Sequence, residues 1–144
     1  MQERKMLVYN KKLDKFAFEL LKCLYKMYDY DGDRLSTDVF VFCNNNLYYI
    51  DEKKCCKKTK KIPIYVEKNV KVEDYLQYYE KDSLNFIMES RLCEYLYYYD
   101  VEGSDKVSNK IKKIFKKYGY YLDFGTSISV MARKTNKENL WKKR

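Results

Sequence analysis

The apolar spacing of this chain first changes period between residues 30 and 37, and that change limits it to a mixed fold. From residue 11 to 30, Leu13, Phe16, Ala17, Leu20, Leu21, Leu24, Met27 and Tyr28 recur at three- and four-residue steps. That spacing lays one apolar stripe along an α-helix. Asp29, Gly32 and Asp33 then offer a stop. From Thr37 to Asp51 the period falls to two: Val39, Val41 and Cys43 alternate with Asp38, Phe40 and Phe42. Asn44, Asn45 and Asn46 supply residues that tolerate positive φ, and Leu47 to Ile50 returns, so a β-hairpin is expected. Both of its faces are fairly apolar, so a helix should cover at least one.

The rest of the chain reads less sharply. Met6–Tyr9 offers a short strand, and Ile62–Val66 another, with Pro63 suited to an edge. Val72 to Glu80 is a short helical candidate. Ser83 looks like the cap of a longer helix to about Tyr99, with Leu84, Ile87, Met88, Leu92, Tyr95, Leu96 and Tyr99 inward. Ser104 caps a further helix carrying Val107, Ile111, Ile114, Phe115 and Tyr118 on one face, and Gly119 stops it. Tyr120–Phe124 and Ser127–Arg133 alternate around Gly125–Thr126 as a second hairpin, with Leu122, Ile128 and Val130 expected inside. The fold class is therefore α+β: antiparallel β-hairpins packed by an N-terminal amphipathic helix and a C-terminal helix pair. One Pro and four Gly in 144 residues leave no linker, so a single domain over 1–144 is expected, with 1–5 and 134–144 as loose tails in which Trp141 can dock.

Charge narrows the partners. The formal net charge is +9, which favours nucleic acid, a nucleoprotein, or otherwise an acidic protein surface. Of the 30 basic residues only Arg4, Arg34, Arg91, Arg133 and Arg144 are arginine. Proteins that read bases or clamp phosphates lean on arginine's planar fork, so the lysine excess discounts the nucleic-acid signal, and A/T-rich codons would also enrich Lys and Tyr. The last helix presents Lys106, Asn109, Lys110, Lys113 and Lys117 outward, with Lys112 and Lys116 beside them. With the preceding helix and the hairpin it could build a helix-turn-helix followed by a wing. The densest basic run is a loop holding Lys53, Lys54, Lys57, Lys58, Lys60 and Lys61, where lysines around Cys55 and Cys56 should lower the thiol pKa. Tyr97, Tyr98 and Tyr120 belong to tyrosine clusters whose rings could stack bases or anchor a protein.

Other chemistry finds little footing. The chain has no histidine, which removes the usual general base near neutral pH and the commonest metal ligand. Asp29, Asp31 and Asp33 begin like a calcium loop, but Arg34 and Phe40 stand where that loop needs glycine and glutamate. Two adjacent cysteines without a second pair do not make a zinc site. No cofactor, no metal and no catalytic residue is expected, nor is any segment apolar enough to span a membrane. Five cysteines, an odd number, suit a reducing cytoplasm. The expected function is a non-catalytic basic module that engages nucleic acid or a nucleoprotein surface. The alternative is a small viral or mobile-element accessory protein that inhibits a host defence protein, and an enzyme without histidine chemistry comes after it.

Overall fold

A computed structural model describes residues 10–51, 61–98 and 101–135. Its frame is one six-stranded antiparallel sheet, with helices on one face and an irregular strap on the other. Helix α1 spans Lys11–Tyr25. The Asn10 side chain accepts from the backbone N–H groups of Lys12 and Leu13 at its start, satisfying donors that a helix leaves orphaned. Strands β1 (Val39–Cys43) and β2 (Asn46–Ile50) follow as a hairpin whose turn residues Asn44 and Asn45 take φ of 56° and 57°. Strand β3 (Ile64–Lys68) pairs with β2. After a 3-10 turn at Val72–Asp74, β4 (Asn85–Met88) enters beside β1. A π-helical turn at Glu94–Tyr98 leads to helix α2 (Ser104–Tyr118), then to β5 (Tyr120–Thr126) and β6 (Ser129–Lys134). The strand order is β3-β2-β1-β4-β6-β5.

The alternation in β1 sets the two faces. Val39, Val41 and Cys43 join the main core with Phe16, Leu20, Leu24, Phe86, Phe115 and Val130, under both helices. Phe42 points the other way, into a smaller cluster with Leu47, Val70 and Ile87, against which Phe40, Val72 and Leu76 pack. Val70, Val72 and Leu76 belong to the strap, residues 69–82. The buried amide of Asn85 ties it down by accepting from Glu80 N at 2.8 Å and donating to Glu80 O at 3.0 Å. The strap also crosses Gly125, where an added Cβ would meet Tyr78 Cβ and Ser129 Oγ, each at 3.1 Å. This close approach explains the glycine in a strand.

Several expectations are corrected. No helix runs from Ser83 to Tyr99: Asn85–Met88 is a central strand, and among the described residues of that span helical structure is confined to 92–98, mostly the π-turn. The Ser83 hydroxyl donates to Ala132 O instead of capping a helix. The expected C-terminal helix pair is thus one helix, α2, preceded by a short turn. Val72 to Glu80 gives only the 3-10 turn, and α1 ends at Tyr25, before the Asp29–Asp33 turn. The strand expected at Ile62–Val66 is shifted to Ile64–Lys68. Ser104 is the first helical residue and its hydroxyl donates to Val101 O. Ile128 sits at the hairpin tip, 41% exposed, and not inside. The strand at Met6–Tyr9, the loop lysines up to Lys60, and the tail with Trp141 lie outside the described residues.

Candidate polyanion-binding surface

Helices α1 and α2 lie side by side and antiparallel on the sheet. Two contacts and one electrostatic neighbour along their length establish the direction. Lys12 Nζ lies 5.5 Å from the Tyr120 ring centroid, just past the end of α2. Glu19 meets Lys117 and Tyr118. Cys23 lies within the field of Lys110, which with Lys26 partly offsets the upward push of burial on its thiol. As the numbers rise in α1 they fall in α2. The Phe16 ring anchors the pair, edge-on to Phe115 at 4.8 Å and stacked on Tyr118 at 5.0 Å.

The charges follow from helical spacing. In α2, Lys106, Lys110, Lys113 and Lys117 are spaced four, three and four apart and so fall on one stripe. In α1 and its C-cap, Lys12, Lys15, Lys22 and Lys26 share a stripe with Glu19 and Cys23. The contacts of Glu19 and Lys12 turn the inner edges of these stripes toward their shared seam, and all eight lysines are exposed. Glu19 is the carboxylate in these stripes. Asp14 lies on the far side of α1, accepting from the Tyr48 hydroxyl, and Asp105 lies on the far side of α2. The two helices hold ten lysines against Asp14, Glu19 and Asp105, a surplus of seven within a chain whose net charge is +9. Among the described residues, Glu19 on Lys117 is the one carboxylate ion-paired with a lysine of this layer.

Glu19 is heavily committed. Its Oε1 accepts from Lys117 Nζ and from Tyr118 Oη, both at 2.8 Å. Those two hydrogen bonds hold its carboxyl below the usual glutamate range. Burial, and then the bond to Glu19, push the Tyr118 phenol up to about 12.

The sequence-derived candidates divide. Lys106, Asn109, Lys110, Lys113 and Lys117 are exposed on α2, as expected. Tyr97 and Tyr98 are exposed, 44% and 55%, on the π-turn that packs beside α2. Their rings meet each other at 5.1 Å, and Tyr97 meets Phe124 at 5.5 Å. Tyr120 is a correction. It is 4% exposed and stacked on Phe16, because its strand position faces the helices, so its ring belongs to the core. Lys61 is exposed; Lys53, Lys54, Lys57, Lys58 and Lys60 lie outside the described residues. The helix-turn-helix does not form, since β4 occupies the place of its first helix.

Lys12, Lys15, Lys22 and Lys26 were missed. Their spacing of three, seven and four is visible in the sequence, but nothing in it says that this stripe meets residues 106–117.

A second feature also went unread. At the C-terminal end of α1, the Arg34 guanidinium lies 3.8 Å from the Tyr25 ring centroid and 5.0 Å from that of Tyr28. Arg91 lies 4.3 Å from the Tyr30 ring centroid and 2.5 Å from Asp31. Tyr28 and Tyr30 are exposed there. The Asp29 side chain accepts from Asp31 N and Asp33 N, which makes the acidic run a hydrogen-bonded turn. Among the described residues no acidic or cysteine cluster is arranged to hold a metal ion, and no helix is long and apolar enough to cross a membrane.

Comparison of the chain with protein-family models, with curated proteins and with solved structures gave no match.

Proposed function

We propose that this protein is a non-catalytic basic module that engages nucleic acid, or the nucleic-acid face of a nucleoprotein, along the seam between α1 and α2. The observation that supports it is the segregation of charge: eight exposed lysines flank one seam, with Glu19 as the carboxylate among them. A field of this kind attracts a polyanion and gains free energy when condensed counterions are released from it. The experiment is a salt titration of binding to double-stranded DNA and RNA. Neutralising about four phosphates gives a log–log slope near −3.6. Replacing Lys106, Lys110 and Lys113 with Glu should abolish binding while circular dichroism stays unchanged; Lys117 is left in place because it is paired. Absent binding, or affinity indifferent to salt, would remove the reading.

A second reading, an accessory protein that occupies another protein's surface, is favoured by the exposed Tyr28 and Tyr30 beside ring-stacked Arg34 and Arg91. Tyrosine and arginine dominate the energetics of many protein interfaces. It requires a stoichiometric partner that survives the lysine substitutions and is lost on Tyr28→Ala with Tyr30→Ala. Retention of that partner by the double alanine variant would reject it.

A further inference from the structure

Resting on the nucleic-acid reading above, we infer that the seam holds the phosphate backbone of a duplex and reads no base sequence. The first reason is steric. A recognition helix must enter the major groove, which is about 12 Å wide. Helix α2 is flanked by α1 on one side and packs against the π-turn as well. Two helices side by side form a slab roughly 20 Å across, too wide to enter the groove. The lysines therefore meet the duplex from outside, along its phosphate ridge.

The second reason is chemical. The seam stripes carry lysine and no arginine or glutamine, and the single amide on them, Asn109, sits on α2, which α1 keeps out of the groove. Lysine is a mobile point charge that neutralises a phosphate without the planar, two-pronged geometry that distinguishes one base edge from another.

The third reason separates duplex from single strand. Every exposed residue of α1 and α2 is Lys, Asn or Asp, and the half-buried rings of Tyr118 and Tyr25 are already engaged, one stacked on Phe16 and the other under Arg34, so the face offers no fully exposed ring on which an unpaired base can stack. The exposed rings of Tyr97 and Tyr98 stand off this face, on the π-turn, and Tyr97 is packed against Phe124.

The test uses the full chain and a pool of duplexes of about 20 base pairs with a randomised centre, selected for binding over several rounds and sequenced. No motif should be enriched more than about threefold, because a single read base pair would already exceed that. Fluorescence anisotropy on duplexes of low and high G·C content should agree within the same factor of about three. A motif enriched more than about tenfold would overturn the inference by demonstrating base readout, while leaving the nucleic-acid reading intact. So would a single strand bound about tenfold more tightly than its duplex, which would move the contact to Tyr97 and Tyr98. Failure to bind any nucleic acid at about 20 mM salt removes both the inference and the reading beneath it.

Discussion

Lys117 Nζ lies 2.8 Å from Oε1 of Glu19, a residue 98 positions away in sequence, and bridges the two helices. The pair fastens α2 to α1, and it also cancels part of the positive field along the seam. Glu19→Gln keeps an oxygen for Tyr118 but frees the lysine charge. Polyanion affinity should rise about two- to fivefold at low salt, and the log–log salt slope should steepen by up to about 0.9. Anisotropy with a duplex probe measures both, and weaker binding would contradict the assignment of Glu19 as the opposing charge.

The same carboxylate makes stability depend on pH. Its pKa is depressed in the folded state by the bonds from Lys117 and Tyr118. Its contribution is therefore fully present above the ordinary glutamate value of about 4.3 and is lost as pH falls through the folded value. Both partners are partly solvated, so the effect is under about 1 kcal/mol. Urea unfolding of the native protein and of Glu19→Gln should differ slightly at neutral pH and converge in acid. A gap independent of pH would place the stabilisation elsewhere.

Tyr48 is fully buried, and its hydroxyl donates to Asp14 Oδ1 at 2.7 Å, joining β2 to the first turn of α1. Burial and this bond hold the phenol far above its ordinary pKa. Tyr48→Phe keeps the ring packing and loses the hydrogen bond to a charged acceptor. The expected cost is about 1–2 kcal/mol, seen as a lower urea midpoint at unchanged slope.

Gly125→Ala would press a methyl group against Tyr78 and Ser129. The strap must lift or β5 must bend, at about 1–3 kcal/mol. Limited proteolysis should then cut within residues 76–82 faster than in the native protein.

The first helix was legible because it buries a single face and so keeps a clean period, and the first hairpin because its residues alternate between the helix side and the strap side about an asparagine turn. Asn44 and Asn45 named their own turn. Strand β4 was not legible for the opposite reason. It lies in the middle of the sheet with all four residues buried, so its alternation vanishes. What remains, Leu84, Ile87 and Met88 after a serine, imitates a capped helix. The site was half legible. The stripe on α2 could be read from its own spacing, whereas the α1 lysines gain meaning only when tertiary packing brings residues 12–26 against 106–117. Tyr120 misled because tyrosine suits either a wet rim or a dry core, and its strand register decides between them.

Because β4 is inserted between the first hairpin and the last, neither half of the chain closes the sheet alone. A polypeptide still emerging during synthesis, stopped before residue 104, would expose the lysines of α1 with nothing beside them. The electrostatic ridge is thus a product of completed assembly, and the proposed grip on a polyanion requires the last third of the chain to be in place.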